Sequence, residues 1–239
     1  MRPLLTAGLL LLGLGACRHH PAETPEPENP DWYVLKAPEA QEIVAVTGDI
    51  DKALVITTRY NIFRTTDRGK TWQQCAYPPN VGLFGFARHR GDTLLALTAG
   101  LGMMPDSGAV YATNMTHYSA DEGRTWLRYP YTSSTVPLFN TRVLLNRVRT
   151  PAGNVYRVST AYHPTAPNAT SYYVHTTGVE GANGPLPKLP YEHRINSLYL
   201  DQQARLYIAA TAPLTGQGKD FAYAGEKNGV LYVSKQPLK

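Results

Sequence analysis

The sequence predicts an all-β protein built from repeated four-stranded antiparallel units, on three observations. First, an eight-residue string occurs twice, 54 residues apart: Thr65-Thr66-Asp67-Arg68-Gly69-Lys70-Thr71-Trp72 and Ser119-Ala120-Asp121-Glu122-Gly123-Arg124-Thr125-Trp126. Second, short apolar, β-branched and aromatic runs recur between turn-forming residues, with a spacing of copies that marks a repeated supersecondary unit. Third, no segment carries a sustained apolar stripe of period 3.6 with caps, so no helix is expected.

Composition agrees with this class. Of 239 residues, 43% are hydrophobic and 17% charged, the balance of a globular chain. The 20 glycines and 19 prolines show no collagen period and imply frequent turns. Two cysteines exclude a disulfide scaffold. From Trp32 onward, 21 Lys and Arg face 14 Asp and Glu, scattered without a run of five. Nucleic-acid binding wants a concentrated basic stripe, so no nucleic-acid partner is expected.

The N-terminus reads as an address. One basic residue, Arg2, precedes an apolar run from Leu4 to Ala16. A helix of that length rises about 20 Å, too short for a bilayer core of about 30 Å but suited to a secretory signal. The run ends in Leu14-Gly15-Ala16-Cys17, which resembles the bacterial lipoprotein box. The resemblance implies cleavage before Cys17 and lipid on its thiol, giving a signal peptide at 1–16 and a bilayer as partner. The competing reading is an ordinary signal peptide with a chance cysteine. Residues 17–31 contain Pro21, Pro25, Pro27 and Pro30 among several glutamates, the composition of an extended tether. Arg18 is not the aspartate that the resemblance links to inner-membrane retention, so the outer membrane of the envelope is expected.

Residues 32–239 divide into four units of four strands. The first runs Ile43–Val46, Ala53–Thr57, Asn61–Thr65 and Thr71–Ala76, and the second Gly82–Ala87, Thr93–Thr98, Ala109–Thr113 and Thr125–Tyr129. The third runs Arg142–Arg147, Asn154–Ser159, Ser171–Thr176 and Pro185–Leu189. The fourth has Ile195–Leu200, Ala204–Ala209 and Gly229–Ser234, and then the chain runs out. The run from Asp31 to Lys36 can supply its missing strand, which would close a ring and leave no exposed sheet edge.

The repeated string has its own physics. An aspartate in such a turn accepts backbone N–H groups, the glycine two residues on takes positive φ cheaply, and the tryptophan packs on an adjoining sheet. At average residue usage, Asp-x-Gly-x-Thr-Trp occurs by chance in roughly one chain of this length per thousand. The string resembles the Asp-box, or BNR, repeat of sialidase-like β-propellers. That resemblance implies a β-propeller of four-stranded antiparallel blades, here four, where most relatives have six or more. It makes Asp67, Gly69, Trp72, Asp121, Gly123 and Trp126 structural.

Sialidase-type enzymes also need three arginines around a carboxylate, a tyrosine activated by a glutamate, and an aspartate acid/base. Arg59, Arg142, Arg147, Arg194, Tyr60, Tyr162 and Glu192 could reach the ring's centre or a rim, but no spacing singles any of them out, so the catalytic residues stay unassigned. His19-His20 lies in the tether, and His89, His117, His163, His175 and His193 show no metal-ligand spacing. No metal or cofactor is expected. Arg90-Gly91-Asp92 reads as a hairpin turn. Insertions at Ala99–Gly108, Ala161–Thr170 and Thr211–Asn228 all fall between second and third strands, so they would gather on one face as binding loops. The expectation is a non-catalytic, lipid-anchored propeller that binds a protein or glycan at the envelope; the alternative is a sialidase-like exo-glycosidase.

Overall fold

The computed structural model describes residues 28–77, 81–101, 108–130, 132, 140–181, 184–215, 222–223 and 227–239. The expected signal peptide, Cys17 and most of the expected tether therefore lie outside the described residues. Among those residues there is no helix, and four antiparallel sheets form a four-bladed β-propeller.

Blade 1 has, from the axis outward, Ala45–Gly48, Leu54–Thr57, Ile62–Thr65 and Gln73–Gln74. Blade 2 has Gly85–Arg88, Leu94–Leu101 and Tyr111–Ser119, and the last carries two short partners, Leu127–Arg128 and Val143–Leu144. Blade 3 has Arg147–Arg149, Val155–Pro164, Tyr172–Gly181 and Gly184–Pro185. Blade 4 has Ile195–Leu200, Leu206–Ala210, Val230–Ser234 and, outermost, Trp32–Lys36.

The strand sequences follow from where each strand sits. Leu54–Thr57, Leu206–Ala210 and Val230–Ser234 are buried at every position because neighbouring blades cover both of their faces. Such strands read as continuous apolar runs rather than alternating ones. Gln73–Gln74 lies at the outside of its sheet and is exposed. Four apolar clusters sit between the blades. One joins Leu35, Tyr207, Leu231 and Val233 of blade 4 to Ile43, Val46, Leu54, Ile56 and Phe63 of blade 1 and its lead-in. Another joins Tyr156 and Val179 of blade 3 to Trp32, Ile195, Leu198 and Tyr232 of blade 4.

Blade 4 is made from both ends of the domain. Trp32 pairs opposite Ser234 and Lys36 opposite Val230, in unbroken antiparallel register. The pairing continues as the chain leaves for blade 1: Ala37 N donates to Gly229 O (2.8 Å), Gly229 N to Gln41 O (2.8 Å) and Ile43 N to Ala210 O (3.2 Å). A Cβ on Gly229 would stand 2.4 Å from the Ile43 nitrogen, so only glycine fits this crossing.

A buried cation fastens the same seam. Arg205, 6% exposed, donates to Asp201 of its own turn (2.7 Å) and to Asp49 and Asp51 of blade 1 (2.5 Å each). Tyr207 Oη adds a bond to Asp201 (3.0 Å) and accepts the Ile50 N–H (2.9 Å). Asp51 is held below the usual carboxylate range, chiefly by the Arg205 hydrogen bond.

Three details differ from the sequence reading. The inner strand of blade 3 is Arg147–Arg149, not Arg142–Arg147, because Val143–Leu144 pairs back onto Ala112 and Tyr111 of blade 2. Ala99–Leu101 and Ala161–Pro164 are strand rather than loop, since Tyr111–Thr113 and Tyr172–His175 extend opposite them. In the third insertion, Leu214–Thr215 pairs with Ala222–Tyr223 as a small ribbon.

Replacing Arg205 with methionine leaves Asp201 buried without its cation. An unpaired buried charge of this kind costs about 3–5 kcal/mol. Urea unfolding of Arg205→Met should show a loss of that size, and a loss under about 1 kcal/mol, the level of an exposed ion pair, would contradict the clamp.

Candidate functional site

The two repeated turns have matching bonds. Asp67 Oδ1 accepts the Thr65 hydroxyl (2.7 Å) and the Thr71 N–H (2.9 Å), and Oδ2 accepts the Thr71 hydroxyl (2.6 Å). Asp121 does the same with Ser119 (2.8 Å), Thr125 N–H (2.9 Å) and the Thr125 hydroxyl (2.7 Å). The Thr71 hydroxyl, then its N–H, hold Asp67 down at about 2. Burial pushes Asp121 up, yet the Thr125 and Ser119 bonds outweigh it and leave it lowered. Each carboxylate thus accepts three hydrogen bonds from within its own turn.

Each turn is also a joint between blades. Gly69 (φ +78°) lies against Leu35 of blade 4 and Gly123 (φ +83°) against Val55 of blade 1; a Cβ on either would stand 2.6 Å from that neighbour. Trp72 packs on the cluster between blades 4 and 1, and Trp126 is buried in the one between blades 1 and 2, tilted 5.6 Å from Phe86. The Trp126 indole N–H closes on Gly123 O (3.0 Å). Arg64 of blade 1 grips the second turn through Glu122 O (3.1 Å).

The propeller therefore has two unlike faces. On one lie the turns between first and second strands and the two aspartate turns. The chain enters there, with Lys235 N donating to Asp31 O (2.9 Å), and ends there, with Asn154 Nδ2 donating to Lys239 O (2.8 Å). Arg90-Gly91-Asp92 is a hairpin turn on this face. On the other lie the links between second and third strands and those between blades.

That second face holds the candidate site, centred on Glu42. Its carboxylate accepts Arg59 of blade 1 (3.1 Å), Arg194 leading into blade 4 (2.5 Å) and Asn196 (3.1 Å). Asn196 also donates to Ile43 O (2.9 Å), which locks the group to the inner strands. Arg59 takes φ +84°, a conformation that a non-glycine residue rarely adopts. Beside it, Glu39 accepts Asn61 Nδ2 (3.0 Å) and the Thr58 hydroxyl. Both guanidinium groups are about half exposed, while the Glu42 side chain is 15% exposed. Tyr60, Tyr162 and Tyr172, in or beside links between second and third strands, stand exposed on the same face. Tyr162 and Tyr172 share one side of the blade 3 hairpin, edge to face at 6.5 Å.

Beneath this surface His193 is buried. Its Nδ1 faces Thr211 O (2.8 Å), so it carries the proton, and Nε2 accepts the Tyr232 hydroxyl (2.6 Å). Burial holds its pKa below the usual histidine value. His117 is lowered for the same reason.

Of the residues singled out in the sequence, Arg59 and Arg194 come together, and Tyr60 and Tyr162 share their face. Arg142 is exposed ahead of the short strand Val143–Leu144, Arg147 sits in the inner strand opposite Arg157, and Glu192 meets Leu214 through its backbone. Glu42 and Asn196 escaped sequence reasoning. The one available signal is that Glu42-Ile43 and Arg194-Ile195 are equivalent pairs, each at the end of an inter-blade link. Among the described residues no three His, Cys, Asp or Glu side chains converge as metal ligands. Cys75 is buried, and burial pushes its thiol up to about 11.

No protein-family model matches the chain, and no curated protein matches it. Solved structures do. The extracellular domain of a putative one-component system from B. thetaiotaomicron aligns at 14% identity and TM-score 0.28, over 76% of this chain and 22% of its own. This chain thus spans about a fifth of that structure. A putative oxidoreductase (glucose dehydrogenase) from Thermus thermophilus aligns at 12% identity and TM-score 0.32, over 84% and 99% of the two chains. YCF48 bound to D1 peptide aligns at 11% identity and TM-score 0.32, over 87% and 97%. The likeness concerns the fold alone.

The joints and the buried histidine can each be tested. Gly91 has φ +60° and open space where its Cβ would be, whereas Gly123 has Val55 there. Gly91→Ala should cost about 1–2 kcal/mol in thermal unfolding, and Gly123→Ala about 1–3 kcal/mol more for overpacking. Equal losses would mean that the turn is not a joint. For His193 the folded pKa is depressed, so the unfolded chain binds the proton more tightly. Stability should fall as pH drops below about 6.5, the unfolded value. His193→Gln should flatten that slope between pH 7 and 5 in urea titrations, leaving the part due to His117.

Proposed function

We propose that this chain is a lipid-anchored, non-catalytic binding propeller of the bacterial envelope, with kinship to Asp-box repeats, and that it holds a protein or glycan partner on the Glu42 face. The observation that carries the reading is the state of the two arginines on that face. Arg59 and Arg194 each turn one nitrogen to an internal carboxylate, Glu42, which braces them against the inner strands. Around them stand exposed tyrosines, whose rings supply contact area and hydroxyl hydrogen bonds at low entropic cost. The Leu14-Gly15-Ala16-Cys17 string supports the anchor, and the proline-rich stretch after it supports a tether.

An exo-glycosidase would need an unoccupied arginine cluster and an activated tyrosine. Here the paired arginines brace a structural carboxylate, which supports recognition rather than turnover.

Membrane fractionation and metabolic labelling with a tritiated fatty acid test the anchor. The wild-type chain should sediment with membranes and carry label, and Cys17→Ser should lose both. A fluorogenic sialoside should show no turnover; turnover abolished by Tyr60→Phe would replace the binding reading with a catalytic one.

A further inference from the structure

We infer that two copies of this chain join through the outer edge of the blade 3 hairpin, with Tyr172–Val174 pairing antiparallel to the same segment of a second copy. The contact needs neither the anchor nor the Glu42 face.

The edge is open by register. Val155–Pro164 and Tyr172–Gly181 form a ribbon in which Tyr172 stands opposite Pro164, Tyr173 opposite His163 and Val174 opposite Tyr162. Beyond them Thr165 N donates to Ser171 O (3.1 Å). Antiparallel partners alternate between bonded and non-bonded pairs. Ser171, Tyr173 and His175 therefore turn their backbone groups into the ribbon, and Tyr172 and Val174 turn theirs outward. Further along, Leu186 N donates to the outward Val179 O (3.0 Å), and Gly184–Pro185 pairs only with Gly181 and Glu180. Among the described residues, nothing pairs with the edge at Tyr172 and Val174.

Three observations single out a second copy as the occupant. The first is charge. The 22 residues Val158–Val179 hold no Asp, Glu, Lys or Arg, whereas 17% of the chain is charged, a share that would put three or four there. The uncharged stretch is bounded by the ion pair of Arg157 and Glu180 (2.8 Å). Exposed edges are ordinarily protected by charge, proline or shortness. Gln73–Gln74, Leu127–Arg128, Val143–Leu144 and Gly184–Pro185 have two residues each, and Trp32–Lys36 ends in a lysine. The ribbon's other edge loses a donor at Pro164. Tyr172–Val174 has none of these guards. A chain of net charge +5 repels its own copy least where neither displays charge.

The second observation is self-complementarity. A two-fold axis through Tyr173, normal to the ribbon, sets Tyr172 of each copy opposite Val174 of the other. Each of these pairs exchanges two main-chain hydrogen bonds, so every outward donor at Tyr172 and Val174 meets an outward acceptor. Tyrosine against valine is also a favoured cross-strand pair. The contact is isologous and closes at two copies.

The third is access. Tyr162, Tyr172 and Val174 are 51%, 53% and 48% exposed, and every residue between Tyr162 and Val174 is at least partly exposed. The tip of the ribbon thus stands clear of the propeller. Pairing would extend two ribbons into one four-stranded sheet, with Tyr162, Tyr172 and Val174 of both copies along one side. Such an edge is smaller than a standard interface of about 1,600 Å², so the association is weak and depends on concentration.

Cysteine cross-linking tests the register. In the pair, Tyr173 faces Tyr173 at a non-bonded position, where Cα atoms lie about 4.5 Å apart and a disulfide can close. The two Tyr172 positions lie on a diagonal more than about 7 Å apart, too far for a bridge. Full-length Tyr173→Cys, Tyr172→Cys and the unsubstituted chain are purified in detergent and oxidised with copper phenanthroline. Cys17 and Cys75 are common to all three. Tyr173→Cys should give severalfold more disulfide-linked dimer on non-reducing gels than the other two. Sedimentation in density-matched detergent gives an independent reading. The mass of the unsubstituted chain should rise from one copy towards two as concentration is raised a hundredfold. Val174→Pro removes an outward donor and keeps the ladder inside the ribbon, so it should stay a single copy. Should that variant fail to fold, Tyr172→Pro removes the other outward donor. Equal cross-linking at Tyr173→Cys and Tyr172→Cys, or a dimer that survives the proline, places the contact elsewhere and overturns the pairing. One copy at every concentration also overturns it and leaves the edge to a strand of another protein.

Discussion

The structure depends on the pairing of Trp32–Lys36 with Val230–Ser234. A ring of four sheets is closed only if its last sheet is completed by its first segment, because each blade buries both of its faces against neighbours. Without that pairing, Val230–Ser234, buried at every position, would present an open edge and an uncovered apolar surface. The pairing also brings blade 4 against blade 1, so the apolar cluster at the seam and the Arg205 clamp exist only as its consequences. The same strand then settles at which end of the propeller the described chain enters.

The aspartate turns serve this ring locally. Each satisfies its own carboxylate within the turn and directs a glycine and a tryptophan onto the previous blade. The first joins blades 4 and 1, and the second joins blades 1 and 2. Blade 3 has no such string. There the contact to blade 4 falls to Tyr156, Val179 and Trp32, and the Thr176 hydroxyl bridges His193 O (2.6 Å) and the Ile195 N–H (2.8 Å). Motif and apolar packing are thus two ways of making the same joint.

What was legible in the sequence follows from how far its bonds reach. The bonds of Asp67 and Asp121 run to residues two and four positions away, so spacing alone exposed them. The closing strand was legible because the fourth unit lacked one strand and the N-terminal run supplied it. Glu42 with Arg194, and Arg205 with Asp49 and Asp51, bridge separations above 150 residues, where no spacing signals a contact. The inner strand of blade 3 was misplaced because Val143, Leu144 and Leu145 look like a buried strand but divide their pairing between blades 2 and 4. Glycine and proline made Ala99–Leu101 and Ala161–Pro164 read as loop, and cross-strand partners overrode that local preference.

The measurement nearest to the central claim is amide hydrogen exchange along the closing strand. If the ring is sealed by this pairing, the amides of Tyr33 and Leu35 and of Leu231 and Val233, which the register directs across the pairing, exchange only through global unfolding, with protection equal to that of Leu54–Thr57. Exchange at Tyr33 and Leu35 that runs far ahead of the inner strands, with the rest of the propeller still protected, would show an open edge and contradict the account.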